Sequence, residues 1–200
     1  ALPIFFRDEH FAIVAFDPRF LLVRVATPHL KFVAIAAHAP HTGHSQEAVA
    51  TWWEELQQAI PQQLHNWPVV LLCDANAMVG SEPSIHIGDH QAGKSDDRAL
   101  PFEAFVVRND LWLPSTFSTC QRGEGQTWVH STGSSRRIDY VGLPRGWHTS
   151  QCTAWISEVI DPTILRADHA AACVDCHFQL ATYSREKKQA SDKLRDCNPN

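Results

Sequence analysis

The chain has 200 residues, of which 44% are apolar, and this composition is typical of one folded domain with a sizeable core. Its net charge of -5 excludes a bulk basic field that attracts nucleic acid, so an enzyme acting on nucleic acid would need a metal ion or a local arginine cluster. The longest apolar stretches, 32–37 and 69–73, are far shorter than the roughly 20 residues of a membrane helix, so no membrane span is predicted.

Cysteine usage bears on the cellular compartment. The six cysteines do not form the dense framework of a small secreted scaffold, and Cys120 and Cys152 have no cysteine nearby in the sequence. No stretch near the first residue resembles a secretory signal. We therefore expect reduced thiols and an intracellular location, nuclear or cytoplasmic.

Three β-strands are predicted in the early part of the chain. Runs of β-branched and aromatic residues cover 11–16, 20–26 and 31–38, and Pro18 and Pro28 fix the backbone of the turns between them. The third run is almost continuously apolar, which is typical of a strand covered on both faces. It is predicted to lie in the middle of its sheet.

A helix and a buried strand follow. Ser45 is a predicted N-cap, and the apolar positions from Val49 to Ile60 follow the i, i+3, i+4 rule of an amphipathic helix. Residues 69–74 then form a short apolar strand that ends in the carboxylate of Asp74. A carboxylate at a strand end above a loop is typical of a functional position.

Short strands dominate the rest of the chain. A surface loop is predicted over 81–97, a second helix over 98–107, and strands over 111–113, 126–129, 137–143, 153–159 and 170–181. Residues 184–200 are polar, and we expect them to form a disordered tail after a single domain at 1–183. This order of elements favours two sheets packed face to face with helices outside.

Four segments place polar residues at the ends of predicted strands. They are His38-Ala39-Pro40, Asp74-Ala75-Asn76, Arg137-Ile138-Asp139-Tyr140 and Asp168-His169. A single aspartate in such a place is more often a turn or capping residue, because Asp and Asn favour turns. Four such segments in one chain favour a functional site.

The order and content of these segments resemble the endonuclease/exonuclease/phosphatase superfamily, the group with the DNase I fold, from about residue 11 to residue 180. A further progression is similar to retroelement-encoded (LINE-type) endonucleases: Asn109 to Phe117, then Thr127-Trp128, then Arg137 to Val141. The resemblance implies an α+β fold of two packed, mainly antiparallel sheets with flanking helices, a four-layer α/β/β/α sandwich.

The same resemblance implies a divalent-metal-dependent phosphodiester hydrolase, most similar to a nucleic-acid endonuclease that acts on DNA. His169 would take the proton from water, and Asp139 would orient its imidazole. Asp74 would orient the water or protonate the leaving group, while Asn76 donates a hydrogen bond to a phosphate oxygen. His38 matches a family position that contacts the phosphate.

Cofactor and substrate contacts are also implied. Asp168 offers a hard oxygen to Mg²⁺ or Mn²⁺. Arg137 could bind phosphate and Trp128 could stack on a base, although an ion pair between Arg137 and Asp139 is the alternative for the arginine. We expect no membrane and no obligate protein partner.

One departure from the family concerns the metal. Family members carry an Asn and a metal-binding Glu in two earlier strands, in Trp-Asn and Gln-Glu contexts that this chain lacks. We therefore expect a chain that begins inside the domain, with an exposed sheet edge, an uncovered core face, weak Mg²⁺ binding and slow or absent DNA cleavage. A phosphatase or phospholipid phosphodiesterase of the same fold and a non-catalytic remnant are the alternatives.

Two further patterns carry less weight. A Cys-x-x-Cys-His motif contains Cys173 and Cys176, but in a strand these face opposite sides, so a core strand is favoured over haem attachment. His38, His41 and His44 recur at a spacing of three, but the proline and glycine between them break any helix, so structural zinc is not favoured.

Overall fold

The structure is a computed structural model that describes residues 6–41, 43–80, 82–91, 95–149, 151–157 and 168–177. Its strands are β1 (Phe11–Asp17), β2 (Phe20–Ala26), β3 (Lys31–His38), β4 (Val69–Asp74), β5 (Leu111–Trp112), β6 (Gln121–Arg122), β7 (Trp128–Val129), β8 (Ser135–Arg136), β9 (Asp139–Pro144), β10 (Cys152–Ser157) and β11 (Ala171–Cys176). They form a six-stranded sheet in the order β1-β2-β3-β4-β9-β5, a three-stranded sheet β11-β10-β6, and the hairpin β7-β8.

Two α-helices cover one face of the six-stranded sheet. Helix α1 spans Gln46–Ala59 and helix α2 spans Ala99–Arg108, and their apolar sides pack on the larger core together with the inward residues of β3 and β4. Ser45 caps α1, since its hydroxyl accepts a hydrogen bond from the amide of Ala48 at 3.2 Å. Neither helix has the length and apolar character that crossing a bilayer requires.

The three-stranded sheet packs on the opposite face of the six-stranded sheet. A second, smaller core lies between the two sheets and contains Trp112, Cys120, Leu143 and Cys152. The predicted α+β class with two packed sheets is therefore confirmed. In the described part of the chain both α-helices lie on the same side, and most neighbouring strands are antiparallel.

The connection between β3 and β4 determines where the polar strand ends meet. These two strands are parallel because α1 carries the chain back across the sheet, so His38 and Asp74 are register partners at the same edge. Strand β9 runs antiparallel to β4 and begins at this edge, where Asp139 is the register partner of Asp74. Three predicted site residues are thus neighbours across three strands.

Several predicted boundaries differ from the observed ones. The predicted strand over 153–159 corresponds to β10, which begins at Cys152, and residues 158–159 lie outside the described residues. The predicted strand over 170–181 corresponds to β11, which begins at Ala171 and ends at Cys176. The short strands β6 and β8 were not predicted, because two-residue strands carry no periodicity. Residues 178–200, including the predicted tail at 184–200, lie outside the described residues.

Strand β3 lies between β2 and β4, as predicted, but it is not covered on both faces along its length. Register pairs form an apolar row that runs across the sheet on the side away from the helices, from Val141 through Leu72, Ala36 and Leu21 to Phe16. Its β1 end is open, with Phe16 75% exposed. The expectation of a fully covered strand is wrong, since the smaller sheet covers only part of this face.

We expect the open end of this apolar row to bind hydrophobic dyes. Ile13 lies on β1 beside the row, is 66% exposed and pairs with Val23. Ile13→Glu should lower 8-anilinonaphthalene-1-sulfonate fluorescence, because it places a negative charge on the apolar patch that repels the anionic dye. Leu100→Glu is the matched control, because Leu100 is 69% exposed on α2. An equal decrease for both variants would show that the dye does not favour this face.

Candidate active site

His38 and Asp74 begin the polar edge of the six-stranded sheet. The Nε2 atom of His38 lies 3.5 Å from a carboxylate oxygen of Asp74. The backbone amide of Ala39 donates to the carbonyl of Asp74 at 2.8 Å, which extends the parallel pairing one residue past the strand end. Both side chains are therefore held by regular sheet geometry.

Asn76 is fixed by a tight turn after β4. Its φ of 48° lies in the left-handed region, which asparagine adopts more readily than most residues. Its backbone amide donates to Asp74 Oδ1 at 2.9 Å, and its side-chain Nδ2 donates to the carbonyl of Ala39 at 2.9 Å. The turn thus orients the Asp74 carboxylate and ties the ends of β3 and β4 together.

Asp139 and His169 form a hydrogen-bonded pair at the same edge. His169 Nδ1 lies 3.0 Å from Asp139 Oδ2, a distance at which the Nδ1–H donates to the carboxylate. This tautomer leaves Nε2 of His169 as a proton acceptor. Burial raises the pKa of the Asp139 carboxyl above its ordinary value, while hydrogen bonds from Thr127 and His169 act in the opposite direction.

Thr127 holds the segment that contains Asp139 against the segment that contains His169. No role was predicted for it from the sequence. Its hydroxyl oxygen accepts hydrogen bonds from the backbone amides of Ile138 at 3.1 Å and Asp139 at 3.0 Å. Its carbonyl accepts from the amide of Ala170 at 2.7 Å, next to the bridge between Trp128 and His169. The Thr127-Trp128 pair in the retroelement-like progression was the signal that could have identified it.

We expect Thr127→Val to destabilise the fold. Thr127 is 2% exposed, and valine keeps its shape but removes the acceptor for two backbone amides. Leaving buried donors unpaired costs about 1–3 kcal/mol, which urea unfolding followed by circular dichroism will measure. Thr127→Ser keeps the hydroxyl and should retain most of the stability, whereas equal losses in both variants would show that packing of the methyl group dominates.

Asp168 and Trp128 contact each other beside the central cluster. The indole Nε1 of Trp128 donates to Asp168 Oδ2 at 2.8 Å. This hydrogen bond lowers the pKa of the exposed Asp168 carboxyl. The half-exposed Trp128 ring also lies 5.5 Å from the His130 ring, so an aromatic surface adjoins the cluster.

Arg137 holds two loops in place. Its Nε donates to the carbonyl of Gly125 at 3.0 Å, and its Nη1 donates to the carbonyl of His90 at 3.1 Å. Burial lowers the pKa of its guanidinium below the ordinary value. Phosphate binding by Arg137 stays a prediction, but two of its donor atoms already have backbone partners.

The central cluster has the composition of a divalent-cation site. Among the described residues, the ligand atoms of Asp74, Asp139 and His169 all lie within 4.8 Å of one another. Carboxylate oxygens such as those of Asp74 and Asp139 suit Mg²⁺ and Mn²⁺. Asp168, the ligand that the sequence analysis named, is not a member of this trio, and its metal-binding role stays a prediction.

The chain matches known proteins by the similarity of its structure and not by the similarity of its sequence. No protein-family model matches the chain, and no curated protein matches its sequence. The endonuclease domain of TRAS1, a telomere-specific non-LTR retrotransposon, superposes with a TM-score of 0.56 at 13% identity, over 86% of this chain and 70% of that chain. The chain has the DNase I-like fold.

Bacterial structures have the same fold. The 3′-5′ exonuclease NExo from Neisseria meningitidis superposes with a TM-score of 0.55 at 15% identity, over 84% of this chain and 70% of that chain. An endonuclease/exonuclease/phosphatase family protein from Leptotrichia buccalis gives a TM-score of 0.51 at 10% identity, over 80% of this chain and 53% of that chain. The resemblance to this superfamily and to retroelement endonucleases is confirmed at the level of the fold.

Proposed function

We propose that this DNase I-like chain is a divalent-cation-dependent phosphodiester hydrolase that acts on DNA. The observation that carries the proposal is the convergence of Asp74, Asp139 and His169 at one sheet edge, with ligand atoms within 4.8 Å. Hydrolysis of a phosphodiester needs a base for water, positive charge beside the phosphate and a proton for the leaving oxygen. The cluster and its neighbours contain side chains suited to each task.

His169 acts as the base in this proposal. Its Nε2 accepts the proton of the attacking water, while Nδ1 stays hydrogen-bonded to Asp139. The Asp139 carboxylate then stabilises the imidazolium that forms and keeps the ring in one orientation. Burial of Asp139 strengthens this interaction, because fewer water molecules screen it.

Asp74, Asn76 and His38 serve the phosphate and the leaving group. Asp74 orients the water or protonates the departing oxygen, and its own carboxylate is fixed by the amide of Asn76. The Asn76 side chain donates to a phosphate oxygen after releasing or sharing its bond to Ala39. His38, which is exposed beside Asp74, contacts the phosphate.

The Asp139 carboxylate would hold the cation, joined by Asp74 where Asp74 orients the water as a carboxylate, with Asp168 as a further candidate ligand. When bound, Mg²⁺ or Mn²⁺ neutralises charge on the phosphate. Because only two carboxylates belong to the trio, we expect weak cation binding and slow cleavage that rises with cation concentration.

DNA is favoured as the substrate for two reasons. First, the 3′ phosphatase NExo from Neisseria, bound to a product DNA hairpin, has the same fold with a TM-score of 0.52 at 15% identity. The similar domain of TRAS1 is an endonuclease. In addition, the half-exposed Trp128 ring next to His169 offers a stacking surface for an unpaired base. A 3′-phosphatase activity at DNA ends is the second candidate.

Cleavage assays on three substrates test the proposal. The chain is incubated with supercoiled plasmid, a 3′-phosphorylated oligonucleotide and phospholipid vesicles, each with Mg²⁺, Mn²⁺ or EDTA. We expect nicking of the plasmid with either cation and none with EDTA. Release of phosphate from the oligonucleotide alone would favour the phosphatase, hydrolysis of lipid alone would exclude a nuclease, and no hydrolysis of any substrate would overturn the proposal in favour of a non-catalytic protein.

A further inference from the structure

Two cysteines lie directly opposite each other in the three-stranded sheet. Cys152 begins β10 and Cys176 ends β11, and the antiparallel register pairs their Cα atoms. The amide of His177 donates to the carbonyl of Gln151 at 3.0 Å, so the two cysteines form a non-hydrogen-bonded pair. In such pairs the Cα atoms are about 4.5 Å apart, within the range of about 4.4–6.8 Å that a disulfide spans.

The two thiols differ in their access to solvent. Cys152 is 3% exposed and belongs to the core between the sheets. Cys176 is only partly buried, and its Sγ donates to the carbonyl of Trp147 at 3.5 Å. Cys176 is therefore the more accessible of the two thiols to a reagent from solvent.

A third thiol adjoins this pair. Cys120 is buried and hydrogen-bonds with Cys152, whose pKa is raised first by burial and then by the neighbouring sulfurs of Cys176 and Cys120. Among the described residues, only Asp74, Asp139 and His169 have ligand atoms close enough together for a metal site. The sulfurs of Cys120, Cys152 and Cys176 are therefore spaced too widely to hold one metal ion. Disulfide chemistry thus fits the three cysteines better than metal binding.

We propose that Cys152 and Cys176 form a reversible disulfide site that a low-molecular-weight disulfide such as oxidised glutathione oxidises. The Cys176 thiol loses its proton to solvent and attacks one glutathione sulfur, which breaks the glutathione disulfide and releases one glutathione thiolate. The Cys152 sulfur then attacks Cys176 in the mixed disulfide and releases the second glutathione. Two cysteine thiols are oxidised, and one glutathione disulfide is reduced to two thiols.

The disulfide would act on the strand that directly follows the candidate base His169. Strand β11 begins at Ala171, two residues after His169, and the new bond would fasten its other end to β10. The oxidised chain should unfold at a higher temperature than the reduced chain, because the crosslink restricts the unfolded state. Burial raises the pKa of both thiols, so the exchange is slow and must be followed to equilibrium.

Mass spectrometry tests this proposal. The folded chain is equilibrated with reduced and oxidised glutathione at varied ratios, alkylated and digested with trypsin, which cuts after Arg166 between the two cysteines. We expect a loss of about 2 Da per chain and one crosslinked peptide pair that joins Cys152 to the peptide containing Cys176. Dithiothreitol should restore both thiols.

Three alanine variants assign the bond. Cys176→Ala should abolish the crosslink, Cys120→Ala should leave it unchanged, and Cys173→Ala is the matched control because Cys173 shares the tryptic peptide but pairs with Trp155. Thermal unfolding of each reduced variant establishes that it is folded. A crosslink that survives in Cys176→Ala, that disappears in Cys120→Ala, or that forms in wild type only after urea denaturation would overturn the proposal.

Discussion

Replacing His169 with alanine is expected to lower the DNA-cleavage rate about 10²- to 10⁴-fold, the usual cost of losing a general base. The Nδ1 atom of His169 contacts Asp139, so its Nε2 is the ring nitrogen that can accept the proton of the attacking water. Plasmid nicking measured over the same range of Mn²⁺ concentrations will quantify the loss. The substrate affinity should change much less than the rate, since the imidazole acts on the water.

His177→Ala is the matched control for this loss. His177 also contacts an aspartate, with Nε2 at 3.5 Å from Asp175 Oδ1, but both side chains are exposed on the second sheet. Its removal should leave the cleavage rate unchanged. Equal rates for the His169→Ala variant and wild type would show that another group activates the water.

Asp139→Asn is expected to lower the cleavage rate but to raise the stability of the fold. The amide cannot stabilise a positively charged His169, so the rate should fall about 10²- to 10⁴-fold. The stability should change in the opposite direction. Burial raises the pKa of Asp139 in the folded state above its unfolded-state value. The contribution of this carboxyl to the free energy of unfolding is therefore fully present below the unfolded-state pKa and is lost as pH rises through the folded-state pKa.

At pH 7 and in EDTA, where no cation compensates the charge, the neutral variant should therefore unfold at a higher temperature than wild type. Differential scanning calorimetry measures this difference, and repetition at pH 4 should show it shrinking. Asp110→Asn provides the comparison, because Asp110 is exposed and pairs with Arg145 at 2.7 Å. A lower unfolding temperature for Asp139→Asn than for Asp110→Asn would contradict a raised pKa.

The strand ends could be located from the sequence because they follow from simple periodicity. Apolar runs that end in polar residues marked His38 and Asp74, and parallel strands joined by a helix bring such ends to one edge. The structure also brings Asp139 to that edge, since β9 begins beside the end of β4. The hydrogen bond from His169 to Asp139, expected from the resemblance, is present.

The neighbouring Asp168 shows a limit of this reasoning. The resemblance to the superfamily implies that Asp168 and His169 belong to one site. Successive side chains of an extended segment point to opposite sides, so when His169 faces Asp139, the Asp168 carboxylate turns towards the indole of Trp128. The contact between Asp168 and Trp128 could therefore not be predicted from the order of residues, and the metal-binding role of Asp168 stays a prediction.

The hydrogen bonds of Thr127 and Arg137 could not be predicted from local sequence, although the retroelement-like progression includes Thr127. The role of Thr127 depends on a loop that brings it against Asp139 and the segment after His169, and a single threonine carries no periodic signal for such contacts. Arg137 donates to the backbone carbonyls of Gly125 and His90, contacts that were not predicted, and its binding of phosphate stays a prediction. Long-range loop contacts determine both roles.

A Mn²⁺ titration followed by NMR of the histidine side chains tests most directly whether Asp74 and Asp139 hold a cation beside His169. Paramagnetic Mn²⁺ broadens nearby protons, so the imidazole signal of His169 should broaden first, with His177 unchanged at the same concentration. Asp74→Asn should raise the Mn²⁺ concentration that this broadening requires. Equal broadening of His169 and His177, or none at His169, would contradict a cation site at this edge of the sheet.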